Sequence, residues 1–497
     1  MEKFDVMETT IARVHEAMRA GNVTVEKLIS AYLDRIAAYD KKGPAINAVI
    51  MTNPLALEEA AELDFFYKEK GEFAGPLHGI PVLLKDNIQT FDLATTAGSK
   101  SLEGFIPDED AFVAERLRQA GAIILAKVNL HELAISGETI SSILGQTVNP
   151  YDLTRTPGGS SGGTAAAIAA NMGIIGIGTD TINSIRSPVS ACNVVGIRPS
   201  LGLVSRAGIV PYSGTQDTAG PICRSVEDCV RTLDVIAGYD PNDVETAWSV
   251  GQQPESYLSF LNKEGLTGKR IGVLRSFFGK ETADESVKQT IEEALPVFEQ
   301  GGATLIKIED AIKTDYLEQE VSVHFEDLKT DLNAYLSQLR ADDPVHSIED
   351  ILESGKYHPS IEGGLRKALQ VYVGTPTYNR KLIRQGEVKT RIMKIMADGK
   401  LDAIVYPHQL QLVCKIGEKQ QQRNGVLCSV TGFPSITVPA GFAPANTAPI
   451  GVPLGLEIAG RPFSEAVLIE IAYAFEQLSQ CRKAPTSTPS LTNRSRY

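Results

Sequence analysis

Residues 155–171 read RTPGGSSGGTAAAIAAN. Four glycines and two serines stand directly ahead of an alanine-rich run, and glycine is the costliest residue to order. Such a loop suits either a phosphate or a reacting acyl group. A phosphate loop needs a lysine just after its glycines, yet no basic residue follows until Arg186. A dinucleotide fingerprint needs a preceding strand and a GxGxxG spacing, and both are missing. The serines then carry the chemistry. A serine hydroxyl attacks a carbonyl only when something removes its proton. No histidine neighbours the loop. His131, the nearest upstream, lies in NLHELAI, which reads as the start of a helix, and is expected at the surface or behind the site.

Lysine is the other known base for serine. It must be neutral near pH 7, and burial or neighbouring cations achieve that. Lys85 ends the apolar strand PVLLK and is followed by Asp86 and Asn87. A lysine there is held inward, at the sheet edge where α/β sites open. A further serine, Ser184, lies in GTDTINSIRSP, after the strand GIIGIG. A polar turn at that point gathers backbone N–H groups into a concavity suited to an oxyanion. Lys85, the serines at 160 and 161, and Ser184 therefore stand on three separate loops.

The elements that must position them alternate. Residues 7–40 read as two helices divided by Gly21 and Asn22, with Thr24 as an N-cap. From about residue 75 come the strand GIPVLLKDN, the helix DEDAFVAERLRQA, the strand GAIILAKVN, the glycine loop, a small-residue helix over 164–170 and the strand GIIGIGTD. RIGVLRS, LDAIVYP, SITVPAGF and PLGLEIAG read as later strands, and SEAVLIEIAYAFEQL as a closing helix. This alternation predicts an α/β protein with a large mixed β-sheet covered by helices on both faces. The expected organisation is an N-terminal helical segment over 1–74, a core over 75–310, a charged helical elaboration near the substrate funnel over 311–400, the C-terminal part of the core over 401–480, and a frayed Pro/Ser/Thr-rich tail over 481–497.

Taken together, GPLHGIPVLLKDNI, TAGSKSL, GAIILAKVNLHE, GQTVNPYD, TPGGSSGGTAAAIAA, IGTDTINSIRSP, VVGIRPSLGLVSRAGIVP and DTAGPICRSVED resemble the amidase signature family. The match is dense over residues 75–230 and continues weakly in TGFPSITVPAGF and GVPLGLEIAGRPF. The resemblance implies a Ser–cis-Ser–Lys triad. Lys85 matches the family lysine, Ser160 the cis-serine and Ser184 the nucleophile. Lys85 would deprotonate Ser160, which would take the proton of Ser184 as it attacks. Gly158 and Gly159 would let the backbone lie against the acyl group, and Ser161 is expected to stabilise the loop or cap a helix. Asp180, Arg186 and Asp217 match charged supporting positions, with Arg186 expected to pair with a carboxylate.

One departure stands out. The family commonly reads DTGGSIR where this chain reads DTINSIR. Ile182 and Asn183 replace two glycines, and a β-branched residue resists φ > 0. The N–H groups of Thr181, Ile182, Asn183 and Ser184 are still expected to serve as oxyanion donors, with the added side chains reshaping the pocket. His408 and Gln409, after the strand LDAIVYP, are further candidates to face it.

The totals bound the answer. The 497 residues are 43% hydrophobic and 22% charged, enough for a large core. A formal net charge of −13 argues against nucleic-acid and membrane partners. The six scattered cysteines form no CxxC and are expected to be buried thiols. We expect no metal, no cofactor and a cytoplasmic protein, and the sequence allows a homodimer. The leading reading is a hydrolase that cleaves the C–N bond of a small-molecule amide or carbamate. The alternatives are a non-catalytic binding protein on the same fold and a glutamine amidotransferase subunit.

Overall fold

The computed structural model describes residues 4–279, 284–309 and 312–491. Eleven strands form one mixed sheet, in the spatial order Val49–Thr52, Ile123–Val128, Pro81–Lys85, Ile175–Asp180, Thr218–Cys223, Val195–Arg198, Ser435–Ala445, Ala448–Ala459, Ala403–Pro407, Arg270–Leu274 and Thr304–Ile308. Every residue of Pro81–Lys85, Ile123–Val128, Ile175–Asp180 and Thr218–Cys223 is buried. A strand buried at successive residues has both its faces covered, which is the layered α/β arrangement predicted. Among the described residues, no helix is long and apolar enough to cross a membrane.

The N-terminal helices are Ile11–Arg19 and Val25–Tyr39. Thr24 caps the second, its hydroxyl accepting from Lys27 N at 3.2 Å. The segment before residue 75 is not purely helical, however. Val49–Thr52 adds an antiparallel edge strand against Ile123–Val128. Its four residues are too short to show alternation in sequence.

The charged region after residue 311 forms the helices His324–Leu336, Ile348–Ser354, Pro359–Ala368 and Pro376–Asp398. Leu328, Leu332, Ile351 and Leu365 build a small core of their own, closed by Ala97, Leu133, Ile135 and Val210 from the main body. The elaboration is thus fastened directly over the loops at one sheet edge.

The tail departs from expectation. Arg35 donates to the carbonyls of Thr488 and Pro489 at 3.0 Å. Arg482 binds Glu8 Oε1 at 2.7 Å and the Asn193 carbonyl at 3.0 Å. Residues 482–490 are therefore tied across the N-terminal helices rather than frayed, because buried Arg35 donates to their backbone and Arg482 reaches from the tail to Glu8 and Asn193. Residues 492–497 lie outside the described residues. All six cysteines are free thiols, and all but Cys481 are buried.

Candidate active site

Pro81–Lys85 and Ile175–Asp180 run parallel, with Leu84 opposite Ile177. Both strands therefore leave the sheet at the same edge. The helix Gly162–Ala169 immediately precedes the second strand and packs on both. Its start brings Ser160 and Ser161 to that edge. Small residues permit the close fit: a Cβ on Gly163 would stand 2.2 Å from the Asn129 carbonyl oxygen.

Lys85 is fully buried. Its Nζ lies 2.7 Å from Ser160 Oγ and 2.7 Å from Thr179 Oγ1. Burial pushes its pKa down to about 7, against the opposing pull of Asp180 and Asp217. No carboxylate is close enough to form an ion pair with it among the described residues. The Gly159–Ser160 peptide bond is cis. Ser161 N donates to the Ser184 carbonyl at 3.1 Å. Ser161 Oγ donates to the Thr179 carbonyl at 3.1 Å. Ser161 thus fastens the glycine loop to the strand Ile175–Asp180 and to the Ser184 turn, and makes no side-chain cap to its helix.

The loop at 181–184 meets this group from the strand end. Ile182 and Asn183 both keep negative φ. The turn does not use the left-handed region at these positions, so the loss of two glycines leaves the backbone unstrained. The N–H groups of Ile182, Asn183 and Ser184 donate to no acceptor among the described residues. Ser184 Oγ likewise has no partner there.

Thr181, Ile182, Asn183 and Ser184 line a cavity of about 480 Å³. The opposite wall comes from the helical elaboration, through Glu318, Ser322, His324, Phe325, Lys367 and Lys381, with Arg423 beside them. Lys381 is paired with Glu326 at 2.8 Å. His324 is half-buried, and its desolvation pushes its pKa down to about 3 and leaves it neutral. A second cavity of about 280 Å³ shares Thr181 and Tyr212 with the first and reaches Asn87 and Thr179, on the side of Lys85. Gly158 and Gly159 line neither. Gly158 has φ +73°, and a Cβ there would stand 3.0 Å from the Ser187 carbonyl oxygen. A Cβ on Gly159 would stand 2.8 Å from the Gly137 carbonyl carbon. These two glycines serve packing within the protein.

Behind Ser184 sits a buried ion network. Arg186 binds Asp180 through two nitrogens at 3.0 Å each, Glu457 Oε1 at 2.5 Å and the Ile182 carbonyl at 2.6 Å. Asp180 also pairs with Arg198 at 2.8 Å. Burial alone would raise the Asp180 carboxyl, but Arg186 and Arg198 hold it far below the usual range. Asp180 Oδ2 in turn accepts from Ile185 N at 3.0 Å, fixing the residue after the nucleophile candidate. Asp217 takes the Thr181 hydroxyl at 2.5 Å and is pushed up by burial.

His131 is buried, not superficial. Its Nδ1 accepts from Glu138 N at 3.1 Å, and burial pushes its pKa down to about 4. His408 and Gln409 are buried after the strand Ala403–Pro407. His408 Nδ1 bonds Glu457 at 2.9 Å, which ties it to the Arg186 network rather than to the cavity lining. Sequence reasoning missed Thr179, Glu457 and Arg423. A polar residue one short of the end of a buried strand marks the first. A lone acid inside the apolar strand PLGLEIAG marks the second. Arg423 carries no pattern at all.

A lysine poised near neutrality on a serine hydroxyl, at the edge of an α/β sheet, is equipment for acyl transfer. Similarity to known proteins makes the class specific. A family model described as Amidase matches residues 27–469, and the chain belongs to the amidase family, enzymes that hydrolyse carbon–nitrogen bonds of amides. The native peptide amidase of Stenotrophomonas maltophilia superposes with a TM-score of 0.88 at 37% identity, over 97% of this chain and 99% of that one. A probable amidase of Arabidopsis thaliana is 36% identical over 97% of this chain and 92% of its own length. A glutamyl-tRNA(Gln) amidotransferase subunit of Caldanaerobacter subterraneus subsp. tengcongensis is 36% identical over 95% of this chain and 97% of its own.

Proposed function

We propose that this amidase works through an acyl-enzyme on Ser184, with Lys85 as base and Ser160 as proton relay. The carrying observation is the 2.7 Å hydrogen bond between fully buried Lys85 and Ser160. Neutral Lys85 takes the Ser160 proton while Ser160 takes that of Ser184. Ser184 Oγ bonds to the amide carbon, and the carbonyl electron pair moves onto oxygen. That oxyanion is received by the unoccupied N–H groups of Ile182, Asn183 and Ser184. The C–N bond then breaks, and the leaving nitrogen takes a proton back along Ser160 from Lys85. Water attacks the acyl ester by the same relay, and the carboxylic acid leaves.

The substrate is a small amide whose acyl part enters the cavity beside Asn183. Likeness to peptide amidase supports an amino-acid or peptide C-terminal amide. Similarity to the amidotransferase subunit supports a second reading, in which the amide is that of glutamine and a partner chain receives the ammonia. Ammonia release by the purified chain, from peptide amides and from glutamine in parallel, separates the two. Rapid turnover of peptide amides by the chain alone supports the first. Glutamine turnover that requires a partner supports the second. Turnover of neither overturns both.

A further inference from the structure

Arg423 stands in the same cavity as Ser184 with no assigned role. Its guanidinium makes no hydrogen bond or ion pair among the described residues, and its buried Nη1 is unsatisfied. A buried, unpaired charged donor is unfavourable unless a ligand satisfies it. The residues on either side of it are anchored to the segment after the strand Ala403–Pro407. Leu410 N donates to the Gln422 carbonyl at 2.9 Å, and Asn424 N to the His408 carbonyl at 2.8 Å. The Asn424 side chain donates to Phe277 and Pro407 carbonyls at 2.7 Å each.

The loop opposite makes room for the guanidinium. A Cβ on Gly137 would stand only 1.9 Å from Arg423 Nη1. The nearest acids are already engaged or exposed. Glu138 accepts from Ser136 at 2.7 Å and from Gln420 N at 3.1 Å, and Glu318 sits at the exposed rim. On the rest of the wall, Lys381 is neutralised by Glu326, while Lys367 lies 3.7 Å over the Phe325 ring. The cavity thus offers a fixed planar cation whose fork fits a carboxylate.

We propose that Arg423 is a specificity-determining residue that binds a carboxylate on the acyl part of the substrate, so that the preferred amides are acidic ones. This rests on the reading that Ser184 and its cavity are the site of amide cleavage. The test compares glutaramate and succinamate with their neutral diamides, glutaramide and succinamide. For the protein as it stands, kcat/KM is expected to favour the acidic member by about ten- to a hundredfold, the range of a charge-assisted hydrogen bond. In Arg423→Gln that ratio falls towards one, through KM for the acidic amide. Arg423→Lys restores part of it, and Gly137→Ala, which displaces the guanidinium, lowers it.

Calorimetry with glutarate needs no turnover and keeps the two readings apart. Glutarate is expected to bind the unaltered chain and to lose most of its affinity in Arg423→Gln. An unaltered chain that binds glutarate no better than glutaramide, or an acid preference that survives Arg423→Gln, overturns the proposal even when hydrolysis is intact. Carboxylate binding that depends on Arg423, without hydrolysis of any amide, upholds it as a binding site and overturns the catalytic reading of Ser184 instead.

Discussion

Thr179 Oγ1 lies 2.7 Å from Lys85 Nζ and also accepts from Asn87 Nδ2 at 3.2 Å. The amine that faces Ser160 is thus held from its other side by a hydroxyl on the neighbouring parallel strand. Thr179→Val keeps the shape and removes that acceptor. We expect kcat to fall by about ten- to a hundredfold, the loss that follows a small misplacement of a reacting group, while Thr179→Ser stays close to the original. Steady-state kinetics on one amide, with the melting temperature as a folding control, measures both.

The pH dependence follows from Lys85. Burial depresses its pKa to about 7, and the relay works only with the amine neutral. Below that value the protonated amine accepts no proton, so kcat/KM rises with pH through about 7 and levels off above it. A rate profile from pH 5 to 9 on a substrate that does not itself titrate checks this. A flat profile across pH 6–8 contradicts it.

Arg186 joins Asp180 and Glu457 in a region closed to solvent. Arg186→Met leaves two carboxylates buried, one of them still facing Arg198. Removing one partner of a buried pair destabilises by about 3–5 kcal/mol, and we expect a loss of that size by denaturant unfolding. Because Asp180 also fixes Ile185 N, residual folded protein should show lower kcat.

The pair Ile182 and Asn183 shapes the cavity without straining the turn. Ile182→Gly combined with Asn183→Gly leaves the N–H donors and widens the space beside Ser184. Relative kcat/KM should then shift towards bulkier acyl groups, by about ten- to a hundredfold, the range set by added or removed methylenes. A panel of amides of increasing acyl length reads the shift. Loss of activity on every member would show that the side chains themselves support the donors.

Much of this was legible in the residues. Lys85 at the end of PVLLK announced itself by an apolar run ending in a charge. The glycine loop and Ser184 were visible as motifs, and their resemblance carried the pairing. Their meeting was not readable, because it depends on the parallel register of Pro81–Lys85 and Ile175–Asp180, which no local pattern encodes. Val49–Thr52 went unseen because four residues carry no period, and the tail was misjudged because its partners, Arg35 and Glu8, lie at the other end of the chain. Arg423 was silent for a related reason: its significance lies in partners it lacks, and in Gly137 far away in sequence.

The central claim is that Ser184 is a nucleophile activated by Lys85 through Ser160. A fluorophosphonate probe followed by peptide mass spectrometry tests it most directly. The account predicts one adduct, on Ser184, lost in Lys85→Ala and Ser160→Ala variants that still melt cooperatively. An adduct on Ser160 or Ser161, or labelling of Ser184 that persists undiminished in folded Lys85→Ala, would contradict it.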